Sequence, residues 1–337
     1  MLARLVCIAI CTALALLSAA CSGPWPAREY SPGEDVPPVS IELETIPFFP
    51  QDAFQCGPAA LATLLTASGI PATPEDLEPR VYLPSRRGSL QLELLAAARR
   101  QGRIPYRIDP SLVALAEELG QGRAVLVLQN LGLQGLAVWH YAVVVGMDAG
   151  RGQVILRSGA QPRQVMSIGR FMQSWEASGS WGLVLLVPGD LPALPVRLRY
   201  LAAVASLEGI GEHSSALAGY DAALRQWPGD ELALLGRANA LYGLGDLEQA
   251  QATLQRLILL HPDHALARNN LAVLLAGQGC FEAALRLLDA ALAEHADDKT
   301  LVSKLNATRR EIVAGKDLAL GSGTVKPVCA KLSARRE

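Results

Sequence analysis

A cysteine directly before a predicted helix is the residue whose type and position best suit covalent chemistry in this sequence. Cys56 is followed by Gly57, Pro58 and a run of small and apolar residues. Pro58 suits the first turn of a helix, because the N–H that proline lacks would have no partner there. The free N–H groups and positive dipole end of a helix N-terminus stabilise a thiolate. The position therefore predicts a lowered thiol pKa and a nucleophilic Cys56, the alternative being a buried cysteine that packs as a small apolar side chain.

The composition argues against two other kinds of site. The sequence has no CxxC pair and no cluster of histidine and cysteine with the spacing of metal ligands. We therefore expect no metal ion and no other cofactor. The formal net charge of −2 argues against a nucleic-acid partner, which normally requires a basic surface.

Predicted helices come first and predicted strands second in the segment around Cys56. The helices are expected at residues 57–66, 73–77 and 89–101. Short apolar runs predict strands at residues 124–129, 139–146, 153–157 and 181–187, with a turn at Asp148–Arg151. This order is typical of an α+β domain, which we place at residues 41–187.

Two segments of this domain resemble those of a known enzyme family. Residues 49–62 read FPQDAFQCGPAALA, and residues 139–146 read WHYAVVVG. The first is similar to the nucleophile motif, and the second to the histidine segment, of the bacteriocin-processing peptidases. These are papain-like cysteine peptidases that cut leader peptides after a double glycine. The resemblance covers about residues 45–187 and implies a papain-like peptidase fold.

The resemblance also implies a role for each matching residue. Cys56 would be the nucleophile, and His140 the general base that takes its proton and later protonates the leaving amine. Gln51 would donate a side-chain N–H to the oxyanion, together with the Cys56 backbone N–H. Gln55 is closer in sequence, but a residue adjacent to the cysteine is poorly placed to fold back over it.

The third catalytic position departs from the family pattern. An aspartate is expected near residue 158, where this chain has Ser158. With a turn at Asp148–Arg151, Met147 would pair with Gly152 and His140 would face about Gly159, which puts Ser158 at the right level. A serine can fix the imidazole tautomer but cannot stabilise an imidazolium as a carboxylate does. Asp148 lies about 26 Å along the strand from His140, which leaves Gln161 as the nearest polar alternative.

An export signal is predicted at the N-terminus, over residues 1–20. Leu5–Leu17 is apolar and too short for a comfortable transmembrane span. Small residues at 18–20 precede Cys21, which resembles a lipoprotein cleavage site and predicts a lipid on Cys21. The alternative is ordinary signal cleavage after Ala20. Ser22, where an aspartate would resemble the inner-membrane retention signal, favours an outer-membrane anchor that faces the periplasm.

A proline-rich tether over residues 21–40 and a linker over 188–196 flank the first domain. Beyond the linker, small and apolar residues recur every 34 positions. These series are Gly209, Gly243 and Gly277; Gly211, Gly245 and Gly279; Ala216, Ala250 and Ala284; and Tyr220, Leu254 and Leu288. The period resembles the tetratricopeptide repeat. It predicts repeats at 197–230, 231–264 and 265–298, a closing helix at about 298–313, and a disordered tail at 314–337.

Together these features predict an exported, lipid-anchored cysteine peptidase. Its substrate would be a peptide or protein in the first-domain cleft, and its repeats would recruit a protein partner or the substrate. The main alternative is a catalytically weak peptidase-like domain that binds peptides as a scaffold. Acyl transfer is a third possibility, because an amine can attack a thioester intermediate as well as water can.

Overall fold

The computed structural model describes residues 38–50, 55–86, 88–133 and 136–322, which divide into two compact units. The first unit holds the described residues up to Leu94 together with Arg107–Val184. The second holds Leu95–Tyr106 and the described residues from Leu185 onward. Cys21, Gln51 and the predicted signal lie outside the described residues. Among the helices in the described ranges, none is long and apolar enough to cross a membrane.

The first unit combines helices with an antiparallel sheet. Its helices are α1 (Cys56–Ala67), α2 (Pro74–Val81), the start of α3 (Gln91–Arg100), α4 (Leu112–Gly120) and α5 (Ile168–Glu176). The strands of the chain are β1 (Ser40–Glu42), β2 (Tyr82–Leu83), β3 (Gly88–Ser89), β4 (Ile104–Arg107), β5 (Val125–Asn130), β6 (Trp139–Asp148), β7 (Gln153–Ser158), β8 (Gln161–Ser167) and β9 (Gly182–Leu186). The predicted α+β class is confirmed.

Strand order places β6 at the middle of the sheet. The order β9-β5-β6-β7-β8 is antiparallel throughout, and β1 adds to β6 beside its C-terminal end. The strands β5 and β6 are almost entirely buried. They therefore read as continuous apolar runs instead of alternating ones. Helix α1 packs on β5 and β6, which brings its N-terminus to the part of the sheet where β6 begins.

The hairpin between β6 and β7 differs from the predicted register. Met147 pairs with Val154, not with Gly152, and the turn therefore comprises residues 149–152. The register shifts between Val144 and Gly146, where a bulge adds a residue to β6. Gly152 has a φ of 62° and closes the turn. A bulge has no clear signature in a continuous apolar run, so the sequence did not indicate the shift.

The second unit is a stack of helical pairs. The pairs are α6 (Arg197–Glu208) with α7 (His213–Gln226), α8 (Glu231–Gly243) with α9 (Leu247–Leu260), and α10 (Ala265–Gly277) with α11 (Phe281–Glu294). Their starting residues recur every 34 positions, as predicted. Ala216, Ala250 and Ala284 are fully buried where the helices approach each other. Small side chains at these positions let the two helices of each pair pack closely, and the predicted all-α stack of helical pairs is confirmed.

A closing helix covers the end of the last repeat. It is α12, Lys299–Ser322, and it extends past the predicted end at residue 313 into the segment predicted to be a disordered tail. Leu305 and Ile312 of this helix are buried in the apolar core of the repeats. Burial of these two side chains against α10 and α11 stabilises the part of the helix up to the predicted end.

Candidate active site

Cys56 is the first residue of α1, and the close approach of a neighbouring strand fixes the position of this helix end. A Cβ atom on Gly57 would lie 2.3 Å from Ser89 Oγ of β3. Only glycine therefore permits the observed contact between the first turn of α1 and β3. The Tyr141 hydroxyl donates to the Ser89 carbonyl (3.2 Å), which ties β6 to the same strand. The sequence places Cys56 at a helix N-terminus, and Ser89 and Tyr141 hold that terminus against the sheet.

The Cys56 thiol lies next to the residue that follows His140. Backbone N–H groups of Tyr141, Gly57 and Cys56 interact with the sulfur and favour its thiolate form. Burial of the half-buried side chain has the larger effect and raises the thiol pKa. The predicted lowering of this pKa is therefore wrong, because the sequence shows the helix N-terminus but not the loss of solvent. Cys56 is the free thiol among the described cysteines, since Cys280 is disulfide-bonded.

His140 is the second residue of β6, and its ring contacts Ser158 at the end of β7. The His140 Nε2 atom lies 2.9 Å from Ser158 Oγ, and Ser158 is buried. This contact leaves Nδ1 as the ring nitrogen available to the thiol. Burial lowers the pKa of His140, so the imidazole is neutral at rest. Within the described ranges, no hydrogen bond joins the Cys56 sulfur to the His140 ring.

Within the described residues, none of the other polar candidates hydrogen-bonds to Cys56 or His140. The Gln55 side-chain amide donates to Glu78 Oε2 of α2 at 3.2 Å. Asp148 lies at the far end of β6 and accepts the backbone N–H of Arg151. Gln161 is exposed at the start of β8. Gln51 lies outside the described residues, so its role as an oxyanion donor stays a prediction.

Arg157, directly before Ser158, is a supporting residue that sequence reasoning missed. Its Nε and Nη2 groups donate to the carbonyl of Ile46, and Nη2 also donates to the carbonyl of Glu44 (3.3 Å). The guanidinium is buried and thereby holds the chain just upstream of the Cys56 motif. The sequence feature that could have indicated this role is a charged residue near the end of the largely apolar strand β7.

Gln129 supports the site from the strand on the other side of β6. It pairs directly with His140 in the sheet and is only 1% exposed. Its side-chain amide donates to Ser174 Oγ of α5 at 2.7 Å. A fully buried amide at this position fixes the spacing of β5 and α5 beside the histidine. The sequence signal was a glutamine that ends an apolar run.

No metal site accompanies this arrangement in the part of the chain that the structure describes. No group of three or more His, Cys, Asp or Glu side chains there is placed to hold a metal ion. The side chains of the site itself are a thiol, an imidazole and a hydroxyl. A buried thiol beside a histidine can act as a nucleophile when the imidazole accepts its proton.

One protein family and several solved structures are similar to parts of the chain. The tetratricopeptide repeat family matches residues 235–299. No curated protein matches the chain. The solved type III secretion translocator chaperone SycD of Yersinia enterocolitica is similar to part of the chain. The two share 15% identity with a TM-score of 0.33, over 36% of this chain and 85% of SycD.

Two solved peptidases are similar to the first part of the chain. A C39-like peptidase from Bacillus anthracis shares 16% identity with a TM-score of 0.38, over 44% of this chain and 98% of that protein. The peptidase domain of Streptococcus ComA, a bifunctional ABC transporter of a quorum-sensing pathway, shares 22% identity with a TM-score of 0.34, over 42% of this chain and 98% of that domain. The chain thus has structural similarity to C39-like peptidases and carries tetratricopeptide repeats.

Proposed function

We propose that the first unit hydrolyses peptide bonds with Cys56 as nucleophile and His140 as general base. One observation carries the proposal: the Cys56 sulfur, at the N-terminus of α1, lies against the backbone N–H of Tyr141, the residue after His140. The packing of α1 on β6 thus brings the thiol to the strand that carries His140, a residue far from Cys56 in the sequence. These two groups suffice for acyl transfer through a thioester.

The resting site is neutral, so the proton must move when the substrate binds. His140 Nδ1 takes the proton from Cys56 as the sulfur attacks the substrate carbonyl. The Nε2 atom then carries the other ring proton and donates it in a hydrogen bond to Ser158 Oγ, which fixes the reactive tautomer. The imidazolium returns its proton to the leaving amine, and the acyl group remains on the sulfur. Water, deprotonated by the same imidazole, attacks the thioester. The C–S bond breaks, the acid is released, and the imidazolium returns its proton to the sulfur.

Stabilisation of the oxyanion is assigned to two donors. The backbone N–H of Cys56 points towards the sulfur at rest and is close to where the negative oxygen would form. Gln51 would supply the second donor. Gln55 is a poor substitute because its amide is bonded to Glu78. We expect Gln51→Ala to lower kcat by about 10²-fold, in the range found for removing one such donor.

Substrate contact is proposed at the loop that leads into β6. Asn130 Oδ1 accepts the N–H groups of both Gly132 and Val138 at 3.0 Å and so fixes the two ends of this loop. Between and beside these ends the loop exposes large apolar side chains, which are Leu131, Leu133, Leu136, Val138 and Trp139. A cluster of exposed apolar residues next to His140 suits contact with a peptide chain.

The remaining parts of the proposal concern placement in the cell. We place the mature protein on the periplasmic side of the outer membrane, held by a lipid on Cys21, with the repeats as the surface that recruits a protein partner. Mass spectrometry of the mature N-terminus tests the anchor. A free, unmodified Cys21 in membrane-free periplasm would rule the anchor out.

Peptidase activity is tested with a degenerate peptide library and product analysis by mass spectrometry. We expect cleavage by the wild-type chain and none by Cys56→Ala or His140→Ala. The two variants should be affected almost equally, since the pair acts as a unit. Gln161→Ala is the matched control, because this residue is exposed on β8 near the site but has no role in the proposed chemistry. Equal cleavage by wild type and Cys56→Ala would refute the proposal.

A peptide-binding scaffold is the second candidate function. It is favoured by the absence of a hydrogen bond between the Cys56 sulfur and the His140 ring within the described residues, together with the raised pKa of the thiol. A scaffold would retain library peptides on both the wild type and Cys56→Ala without any product. A peptidase would release products from the wild type and retain peptides only on the variant.

A further inference from the structure

A cavity in the repeat unit carries a cluster of arginines that the peptidase chemistry does not use. The cavity has a volume of about 400 Å³ and lies among α7, α8 and α9. Each helix contributes one arginine to its lining: Arg225 from α7, Arg237 from α8 and Arg256 from α9. A cavity of this size is in the range of small-ligand pockets. The cavity therefore combines the size of a ligand pocket with a cluster of positive charge.

Arg237 is held rigidly at the base of this arginine cluster. Its Nε donates to Asp221 Oδ1 at 2.7 Å, and its Nη1 donates to Thr253 Oγ at 2.5 Å. Thr253 is buried and donates in turn to the Gln249 carbonyl (2.7 Å). These bonds fix the plane of the guanidinium and leave its Nη2 donors without a partner among the described residues. A fixed guanidinium of this kind suits recognition of a carboxylate.

The other two arginines have no acidic partner. Arg225 donates to the carbonyl of Gly189 at 2.9 Å, which leaves its charge uncompensated. Arg256 is exposed and makes no hydrogen bond or ion pair within the described part of the chain. Asp221 is the one acidic side chain in the lining, and it already pairs with Arg237. The cavity therefore presents two uncompensated guanidinium charges to solvent.

The wall between the arginines is apolar. Leu224 of α7, Leu234 of α8 and Ala252 of α9 line the cavity together with the charged groups. An inorganic anion would use the arginines but gain nothing from these side chains. A peptide that carries carboxylates beside apolar side chains would use both, because burial of apolar surface adds to charge pairing.

We propose that this cavity binds an acidic segment of a partner protein. A carboxylate of the segment would lie between Arg225 and Arg256, within reach of the free Nη2 donors of Arg237. An adjacent apolar side chain would pack on Leu224. This assignment is independent of the proposed peptidase activity.

Fluorescence anisotropy on the full chain tests the assignment. The probe is a labelled hexapeptide of alternating glutamate and leucine, and its control replaces each glutamate by glutamine. We expect the acidic probe alone to bind, with an affinity that falls as salt is added. The double variant Arg225→Gln, Arg256→Gln should weaken binding at least tenfold. Arg286→Gln is the matched control, since Arg286 is exposed on α11 and does not line the cavity.

Two outcomes would overturn the proposal. Unchanged affinity in the double variant would show that the probe binds elsewhere or through bulk charge. Binding of inorganic phosphate without binding of the acidic probe would make the cavity a phosphate site. Thermal unfolding of each variant controls for folding. If the double variant unfolds, Arg256→Gln alone decides the matter, because no contact of Arg256 is lost, and the same loss of affinity is then required.

Discussion

At the scale of single residues, the site differs from a thiolate–imidazolium pair. Burial raises the pKa of Cys56 and lowers that of His140, so both changes disfavour charge. The N–H groups around the sulfur oppose this effect but do not exceed it. The partner of His140 is a neutral hydroxyl, which adds no electrostatic support for an imidazolium. Without substrate, the site therefore holds a neutral thiol and a neutral imidazole. The thiolate and the imidazolium form only when a substrate is bound.

The first prediction concerns the pH dependence of the free thiol. A raised pKa means that Cys56 is protonated below its own pKa and gains reactivity only as the pH rises through that value. We expect the rate of alkylation by iodoacetamide to increase with a midpoint at a higher pH than that of an ordinary, exposed cysteine. Mass spectrometry of the labelled protein gives the rate. A plateau of rapid labelling between about pH 5 and 7 would show an ion pair with His140 and contradict the prediction.

The same two pKa shifts determine how the stability of the fold changes with pH. The folded-state pKa of Cys56 is raised, so its contribution to stability is present below the ordinary thiol pKa and is lost as the pH rises through the folded value. The folded-state pKa of His140 is lowered, so its contribution is present above the ordinary histidine pKa and is lost as the pH falls through the folded value. Both contributions are present together in the window between them.

The second prediction concerns Ser158. An aspartate at this position would put a carboxylate on His140 Nε2 and raise the pKa of the imidazole, by one unit or more if the pair is close. We expect Ser158→Asp to raise kcat about tenfold over Ser158→Asn, which keeps nearly the same shape without the charge. Product formation from library peptides measures both. Equal rates in the Asp and Asn variants would mean that the charge of the orienting group does not limit the reaction.

At the scale of elements, the helices and strands with a local sequence signal were predicted, and those fixed by contacts with distant residues were missed. The helices at 34-residue intervals and the helix that follows Cys56 agree with prediction, because each has a local signature. The strands β1, β2, β3, β4 and β8 and the helices α4 and α5 were missed. Residues Gln161–Ser167 of β8 are largely exposed and polar, so they carry no apolar run. The hairpin register was wrong because the turn covers residues 149–152 instead of 148–151, and a bulge in β6 then shifts the pairing again.

The third prediction tests how β3 positions the nucleophile. In Gly57→Ala the new Cβ would lie 2.3 Å from Ser89 Oγ and 2.5 Å from Ser89 Cβ. The first turn of α1 must then move, at a cost of about 1–3 kcal/mol. We expect a lower melting temperature and a change in the rate of Cys56 alkylation. Adding Ser89→Gly removes both contacting atoms and should restore each property. Failure of this second change to restore stability would show that the contact is not the cause.

The fourth prediction tests the packing of the repeats. Ala250 is fully buried where α9 meets its neighbouring helix. Ala250→Trp would overfill this contact and lower stability by about 1–3 kcal/mol or more. Gln255→Trp adds the same side chain at an exposed position of α9 and serves as the control. Thermal unfolding compares the two variants. Equal melting temperatures would contradict the assigned repeat register.

At the scale of the whole molecule, the order of the chain and the membership of the two units do not coincide. Leu95–Tyr106 follows the first residues of α3 but belongs to the second unit. Ile104 and Tyr106 are buried in that unit. The Tyr106 hydroxyl donates to the Leu194 carbonyl at 3.4 Å and accepts the N–H of Val196 at 3.2 Å. The second unit therefore includes a segment that the sequence assigns to the first.

The last prediction follows from the membership of residues 95–106 in the second unit. Ending the protein at Val187 would keep Tyr106 but remove Leu194, Val196 and the Arg199 guanidinium, which lies 5.8 Å from the Tyr106 ring centroid. Large side chains that are buried in the full chain would then be exposed to water. We expect the shortened protein to unfold at a lower temperature than the first transition of the full chain, and to aggregate on heating. Circular dichroism measures the unfolding temperature, and light scattering measures aggregation.

The full chain with Tyr106→Phe loses the hydroxyl but keeps the ring buried. Its unfolding temperature should lie between that of the full chain and that of the shortened protein. If the shortened protein were as stable as the full chain, the prediction would be wrong. Residues 95–106 would then be stabilised by contacts within the first 187 residues and not by contacts with the repeats.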